Sequence, residues 1–275
     1  MTRPPPRLKW HMLRRRKSDP GHFRANLEQA LLAGAACEVD LHFTADGHAF
    51  CLHDDTLDRE TTGQGPAAAR SRAEIERLSQ RGADGTPLAS QPLFLDEIVE
   101  AINRCGRPDG GLVQLDVKGP ADELDAAGLK RMAAAIGKTA PRFIAGACNW
   151  EMPTRLAAAI PGMKAGFDPL DDYPRSLPPD TAAYRALGER TLATAPDAAM
   201  FYLEARLVLG GLAAGVNLVE MVGRNGAEID AWTVDANWPD LHGSLETLVR
   251  AGVHQVTSND PEILAPLLQD IAACL

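Results

Sequence analysis

The strongest constraint on this chain is its rhythm: short apolar or alternating runs take turns with longer runs of helical period. LKWHML (8–13) reads as a strand. FRANLEQALLAGA then places Leu27, Ala30, Leu31 and Gly34 on one helical face, with Gly34 as a C-terminal stop. ACEVDLHFT is a strand by alternation, and GHAFCLHD a short one after the Asp46-Gly47 turn. Helices are predicted at 72–80 and 95–105, then a strand at GLVQLDVKG and a helix at ELDAAGLKRMAAAIGK. The second half repeats the pattern. RFIAGAC, MKAGFD, MFYLEARLVL, AEIDAWTV and VHQVTS read as strands. WEMPTRLAAAI, VNLVEMVGRNG, SLETLVRAG and PEILAPLLQDIAACL read as helices, the last opened by Pro261. An irregular, Pro- and Asp-rich stretch fills 168–198.

About eight strand–helix units in a chain of 275 residues fit the typical ~250 residues of a (β/α)8 barrel. The fold class expected is therefore α/β: a single-domain TIM barrel over 1–275, with eight parallel strands inside a ring of helices. A doubly wound open sheet is the rival, but no G-x-G-x-x-G follows the first strand.

Composition narrows the function classes. The net charge of -9 argues against a nucleic-acid partner. The one dense basic run, Arg14-Arg15-Arg16-Lys17, reads either as a solvated loop or as a contact for anionic lipid headgroups. Cys37, Cys51, Cys105, Cys148 and Cys274 form no Cys-x-x-Cys pair, which argues against a disulfide framework or a zinc-thiolate site. No window holds the roughly 18 apolar residues of a membrane helix. The basic N-terminus has no apolar h-region, so stable membrane insertion and secretion are not expected, and the expected compartment is the cytoplasm.

In a barrel, catalytic groups gather at the C-terminal ends of strands. His11 lies near the end of the first strand, Glu38 and Asp40 on the second, His53 after the short strand that follows, Asp116 and Lys118 on the third, and Trp232 on the seventh. Glu38 and Asp40 are two apart and share a face, while Cys37, Val39 and Leu41 turn toward the helices. Asp116 and Lys118 repeat this pattern between Leu115 and Val117. Three carboxylates from two neighbouring strands make an all-oxygen set suited to a hard ion, Mg2+ or Ca2+. The same residues also suit a buried salt-bridge network around Lys118. His11 and His53 are the natural acid–base candidates, and His22, His42, His48, His242 and His254 read as structural. Asp54 suits either the orientation of the His53 imidazole or a surface turn. Lys118 suits a phosphate oxygen, and Trp232 suits either an apolar ligand wall or the core. Glu204 breaks an apolar run and is a further candidate.

These residues sit in a recognisable frame. CEVDLHFTADGHAFCLHDDTLDRETTGQG (37–65) resembles the Glu-x-Asp, Thr-x-Asp-Gly and His-Asp-x-x-Leu-x-Arg run of the glycerophosphodiester phosphodiesterase family. LDVK (115–118), AWTVD (231–235) and GVHQVTSNDP (252–261) are similar to three later motifs of that family, in the right order. The last two resemble its Trp-Thr-Val-Asn and Thr-Asp-x-Pro.

The resemblance implies a barrel that hydrolyses glycerophosphodiesters, such as glycerophosphocholine or glycerophosphoethanolamine, to glycerol 3-phosphate and an alcohol. One divalent cation, Mg2+ or Ca2+, would be held by Glu38, Asp40 and Asp116. His11 and His53 would be acid and base, and Lys118 would contact phosphate. The partner would be a small phosphodiester. Three departures stand out. His11-Met12-Leu13 replaces His-Arg-Gly, Pro20-Gly21-His22-Phe23 replaces Pro-Glu-Asn-Thr, and Asp116 stands where Glu is usual. They keep open a lysophospholipase D or sphingomyelinase D-like activity, and a non-catalytic phosphoester-binding barrel.

Overall fold

A computed structural model describes residues 5–107, 109–118, 124–170 and 180–274. Nine strands form: β1 (Arg7–Trp10), β2 (Ala36–Phe43), β3 (Ala49–Cys51), β4 (Val113–Val117), β5 (Phe143–Ala147), β6 (Lys164–Phe167), β7 (Met200–Glu204), β8 (Glu228–Trp232) and β9 (Gln255–Ser258). β3 folds back antiparallel on β2. The other eight are parallel neighbours in the order β1-β2-β4-β5-β6-β7-β8-β9, and β9 returns to β1. This is the closed (β/α)8 barrel.

The outer layer comprises α1 (Arg24–Ala33), α2 (Arg72–Ile75), α3 (Leu95–Cys105), α4 (Ala126–Ile136), α5 (Glu151–Ala159), α6 (Thr181–Thr194), α7 (Ala205–Ala213), α8 (Leu218–Val222), α9 (Leu241–Ala251) and α10 (Pro261–Ala273). In α1, Leu27, Ala30 and Leu31 are buried, and Gly34 takes the left-handed conformation (φ 70°) that ends the helix. Cys37, Val39, Leu41, Val113, Leu115 and Val117 pack with this helix and with α3 in one core between barrel and helices. A second such core surrounds Phe201, Leu203, Ile229, Ala231 and Val256.

The predicted boundaries differ in several places, four of which matter here. The first strand ends at Trp10, because His11–Leu13 form a tight turn with Met12 and Leu13 at positive φ (51° and 58°). The helix predicted at 72–80 is shorter, Arg72–Ile75. MFYLEARLVL is strand only to Glu204 and helix from Ala205. The stretch 168–198 contains the 14-residue helix α6, and its residues 171–179 lie outside those described. The basic run is occupied within the fold. Arg15 and Arg16 pair with Glu262, and Lys17 with Asp235. Among the described residues no single helix is long and apolar enough to cross a membrane.

Candidate active site

A cavity of about 280 Å3 opens at the C-terminal end of the barrel. Its lining brings together Glu38, Asp40, Asp116, Lys118, His11, His53 and Trp232, which the sequence spreads over more than 220 positions. Glu204 closes β7 beside Trp232 but does not line it.

The carboxylates meet because of strand register. Asp40 on β2 and Asp116 on β4 are direct partners, and Glu38 pairs with Gln114. Each carboxylate offers an oxygen, and these lie within 4.8 Å of one another. A cation with ligand distances of ~2.0–2.6 Å bridges such a spread. Lys118 Nζ lies 2.7 Å from Asp40 Oδ1 and 2.6 Å from Asp116 Oδ2. One ammonium thus faces three carboxylates, an imbalance that shows in their acidities. Burial, then the charges of Asp40 and Asp116, pushes the Glu38 carboxyl up to about 8. Burial acts the same way on Asp40, but the His22 hydrogen bond and the Lys118 ammonium outweigh it and hold that carboxyl well below its usual range. Burial opposes the charge on Lys118, yet Asp116, Asp40 and Glu38 raise it, so the lysine stays an ammonium. A hard divalent cation suits this donor set in charge, ligand type and size.

The two imidazoles are held differently. His11 leaves β1 at the tight turn, whose Met12 N–H donates to Glu38 Oε2 at 2.6 Å. His11 Nδ1 lies 2.9 Å from Asn259 Oδ1. The backbone N–H and side-chain Nδ2 of Asn259 both donate to Asp235, at 3.0–3.2 Å, which turns the amide oxygen toward His11. Arg14 also donates to that oxygen at 3.0 Å. The network therefore assigns the His11 proton to Nδ1 and leaves Nε2 bare in the neutral ring, 4.0 Å from Glu38 Oε2. Burial lowers the His11 pKa, and the charge of Asp40 only partly restores it.

His53 leans instead on a carboxylate. Its Nδ1 donates to Asp54 Oδ1 at 2.9 Å, and Arg59 forks onto both oxygens of Asp54. That fork, followed by the His53 contact, brings the Asp54 carboxyl down to about 2. Glu60 accepts the backbone N–H groups of His53 and Asp54 and so fixes the turn.

His22 differs from its structural reading. It is 1 % exposed, and its Nε2 lies 3.0 Å from Asp40 Oδ2, beneath the carboxylates. It holds one oxygen of Asp40 while Lys118 meets the other. The altered Pro20-Gly21-His22-Phe23 segment was its only signal in the sequence. Tyr202 and Asp168 also line the cavity and were not singled out from sequence.

Comparison with known proteins agrees with this architecture. A glycerophosphodiester phosphodiesterase of Caldanaerobacter subterraneus is 26% identical over 92% of this chain and 94% of its own length. A mouse glycerophosphodiester phosphodiesterase 1 is 34% identical over 39% of this chain. That match spans 33% of the mouse protein, and matches to Mycobacterium tuberculosis relatives span 35% of theirs. Among solved structures, an Oleispira antarctica phosphodiesterase in complex with the product sn-glycerol-3-phosphate superposes with a TM-score of 0.70 at 19% identity, over 96% of this chain and 97% of that one. The sequence model of the glycerophosphoryl diester phosphodiesterase family matches residues 25–263, and the chain belongs to that family.

Proposed function

We propose that this protein is a divalent-cation-dependent phosphodiesterase that cleaves glycerophosphodiesters, such as glycerophosphocholine or glycerophosphoethanolamine, to glycerol 3-phosphate and an alcohol. The observation that carries this reading is the pair of oppositely supported imidazoles flanking one carboxylate cluster at a single barrel mouth.

Glu38, Asp40 and Asp116 would hold the cation, Mg2+ or Ca2+. When bound, it supplies Lewis-acid polarisation of the phosphoryl group and neutralises charge. Lys118 adds a compact positive charge for a phosphoryl oxygen. His11 is the base. Its burial keeps Nε2 unprotonated against the opposing pull of the Asn259 hydrogen bond, so it accepts the proton of the attacking hydroxyl as the new P–O bond forms. His53 is the acid. Its Nδ1 is held by the Asp54 carboxylate, and the ring gives a proton to the departing alkoxide as the old P–O bond breaks. Trp232 forms part of the wall beside the reacting group.

Choline release from glycerophosphocholine, measured with Mg2+ or Ca2+ and again after chelation, tests the reading. Metal-supported release that stops on chelation is expected. Release that continues in the chelator contradicts the metal role, and no release with either ion contradicts the activity.

A further inference from the structure

A second cavity, of about 180 Å3, lies next to the mouth and shares no lining residue with it. The loop between β1 and α1 and the segment between β3 and α3 wall it. Two half-buried arginines, one from each segment, line it, and both are fixed by uncharged oxygens. Arg14 Nε donates to the Asp19 carbonyl at 3.1 Å and Nη1 to Asn259 Oδ1 at 3.0 Å. Arg81 Nε donates to the Thr61 carbonyl at 2.7 Å and Nη1 to the Gly85 carbonyl at 2.8 Å. Among the described residues neither guanidinium meets a carboxylate, and neither Nη2 makes a hydrogen bond. The two carboxylates in the wall are engaged elsewhere. Asp19 Oδ2 accepts the Arg15 N–H and the Asn26 amide, and Glu60 accepts the His53 and Asp54 N–H groups and Arg59. Gln80, 6 % exposed, completes the wall. Its Nε2 donates to the Gly21 and His22 carbonyls at 3.3 Å, and its Oε1 has no partner.

A guanidinium drawn out of water without a counterion is unfavourable. Burial pulls the Arg14 pKa down, and the charge of Glu60 only partly restores it. An acceptor left unpaired inside the fold is likewise unfavourable unless something donates to it. The matching ligand is therefore an oxyanion, for the free guanidinium edges, that also carries an O–H, for the amide oxygen. A singly protonated phosphate group does both near neutral pH. A sulfate or a carboxylate offers oxygens alone.

We infer that Arg14, Arg81 and Gln80 form a binding site for a phosphate group, separate from the catalytic mouth. The ligand is orthophosphate or the head of a small phosphate monoester. Backbone carbonyls already hold both guanidinia in place, so binding orders little that is not ordered beforehand. The site does not depend on the phosphodiesterase reading, because none of its residues lines the mouth.

The test is calorimetric titration of the full chain near neutral pH with orthophosphate, methyl phosphate and sulfate. It is run after chelation, which leaves the mouth with its excess of carboxylates and so unfavourable to anions. One phosphate per chain is expected, with sulfate about ten-fold weaker. Arg81→Met, which keeps an apolar stem, should weaken phosphate about ten-fold or more, and Arg81→Lys should restore part of the loss. Arg14→Met gives the same reading from the other loop should the first variant not fold, as judged by circular dichroism. Tighter binding of orthophosphate than of methyl phosphate assigns the free ion, and the reverse assigns an ester. Absence of phosphate binding, sulfate bound equally well, or an affinity unchanged in both methionine variants overturns the site.

Discussion

The barrel interior contains two buried charged clusters, and they are built on opposite plans. The deeper one lies one layer below the mouth, since Lys9, Gln114 and Asp230 each precede a mouth residue by two positions. Lys9 Nζ meets Asp230 Oδ2 at 2.6 Å and also bonds Gln114. Gln255 and Thr257 donate to the two oxygens of Asp230 at 2.6 and 2.7 Å. Charges and lone pairs are matched there, as a buried ion pair requires. At the mouth, three carboxylates share one ammonium, and Glu38 answers by holding its proton to about 8. The lower cluster is complete within the protein. The upper one could accept a further cation, which on the proposed reading separates a structural network from a functional site in one barrel.

The comparison can be broken at several points. The largest expected effect is on chemistry at the mouth. His53→Ala should lower kcat by about 10²–10⁴-fold, the usual range for a general acid–base group. Because that side chain is 44% exposed, the melting temperature should hardly move. A variant with near wild-type kcat removes His53 from the mechanism.

At the floor the effect should be the reverse. Lys9→Met strands the Asp230 carboxylate and should destabilise the fold by about 3–5 kcal/mol in denaturant melts. Adding Asp230→Asn should recover much of that loss, because the orphaned charge goes with its partner. A small cost for Lys9→Met alone would show that the floor is not tightly matched.

A smaller effect distinguishes the two clusters by pH. The Glu38 carboxyl titrates higher in the folded chain than in the unfolded one. Its contribution to stability is therefore full below its unfolded value of 4.5 and is lost as pH rises toward about 8. Asp40 works in the opposite sense, and its stabilisation is lost only on acidification. In the metal-free protein, Glu38→Gln should thus raise stability by roughly 1–3 kcal/mol at pH 8 and have little effect near pH 4.5. A destabilised variant at pH 8 would contradict the like-charge account.

Much of this was readable from sequence because barrel strands obey period two. Cys37-Val39-Leu41 and Leu115-Val117 announced the outer face, and the interrupting Glu38, Asp40 and Asp116 announced the inner one. Period failed where a run was apolar throughout. Ala205–Ala213 continues the apolar character of β7, so nothing but the turn at Glu204 separates strand from helix. The helix Thr181–Thr194 has Tyr184, Leu187, Gly188 and Thr191 buried along one face, a spacing masked by the Pro- and Asp-rich approach. His22 was invisible for a different reason. Its contact with Asp40 arises across 18 residues and a positive-φ backbone (54°), and no local pattern reports such a closure. The Asp235–Asn259–His11 relay was present in two motifs, but their contact depends on β8 and β9 lying side by side.

The most direct test of the central claim is a count of bound metal. Mn2+ titration followed by electron paramagnetic resonance should find one ion per wild-type chain, and Asp40→Asn or Asp116→Asn should abolish it while His53→Ala retains it. One ion bound with undiminished affinity by the carboxylate variants, or none by the wild type, would contradict the account.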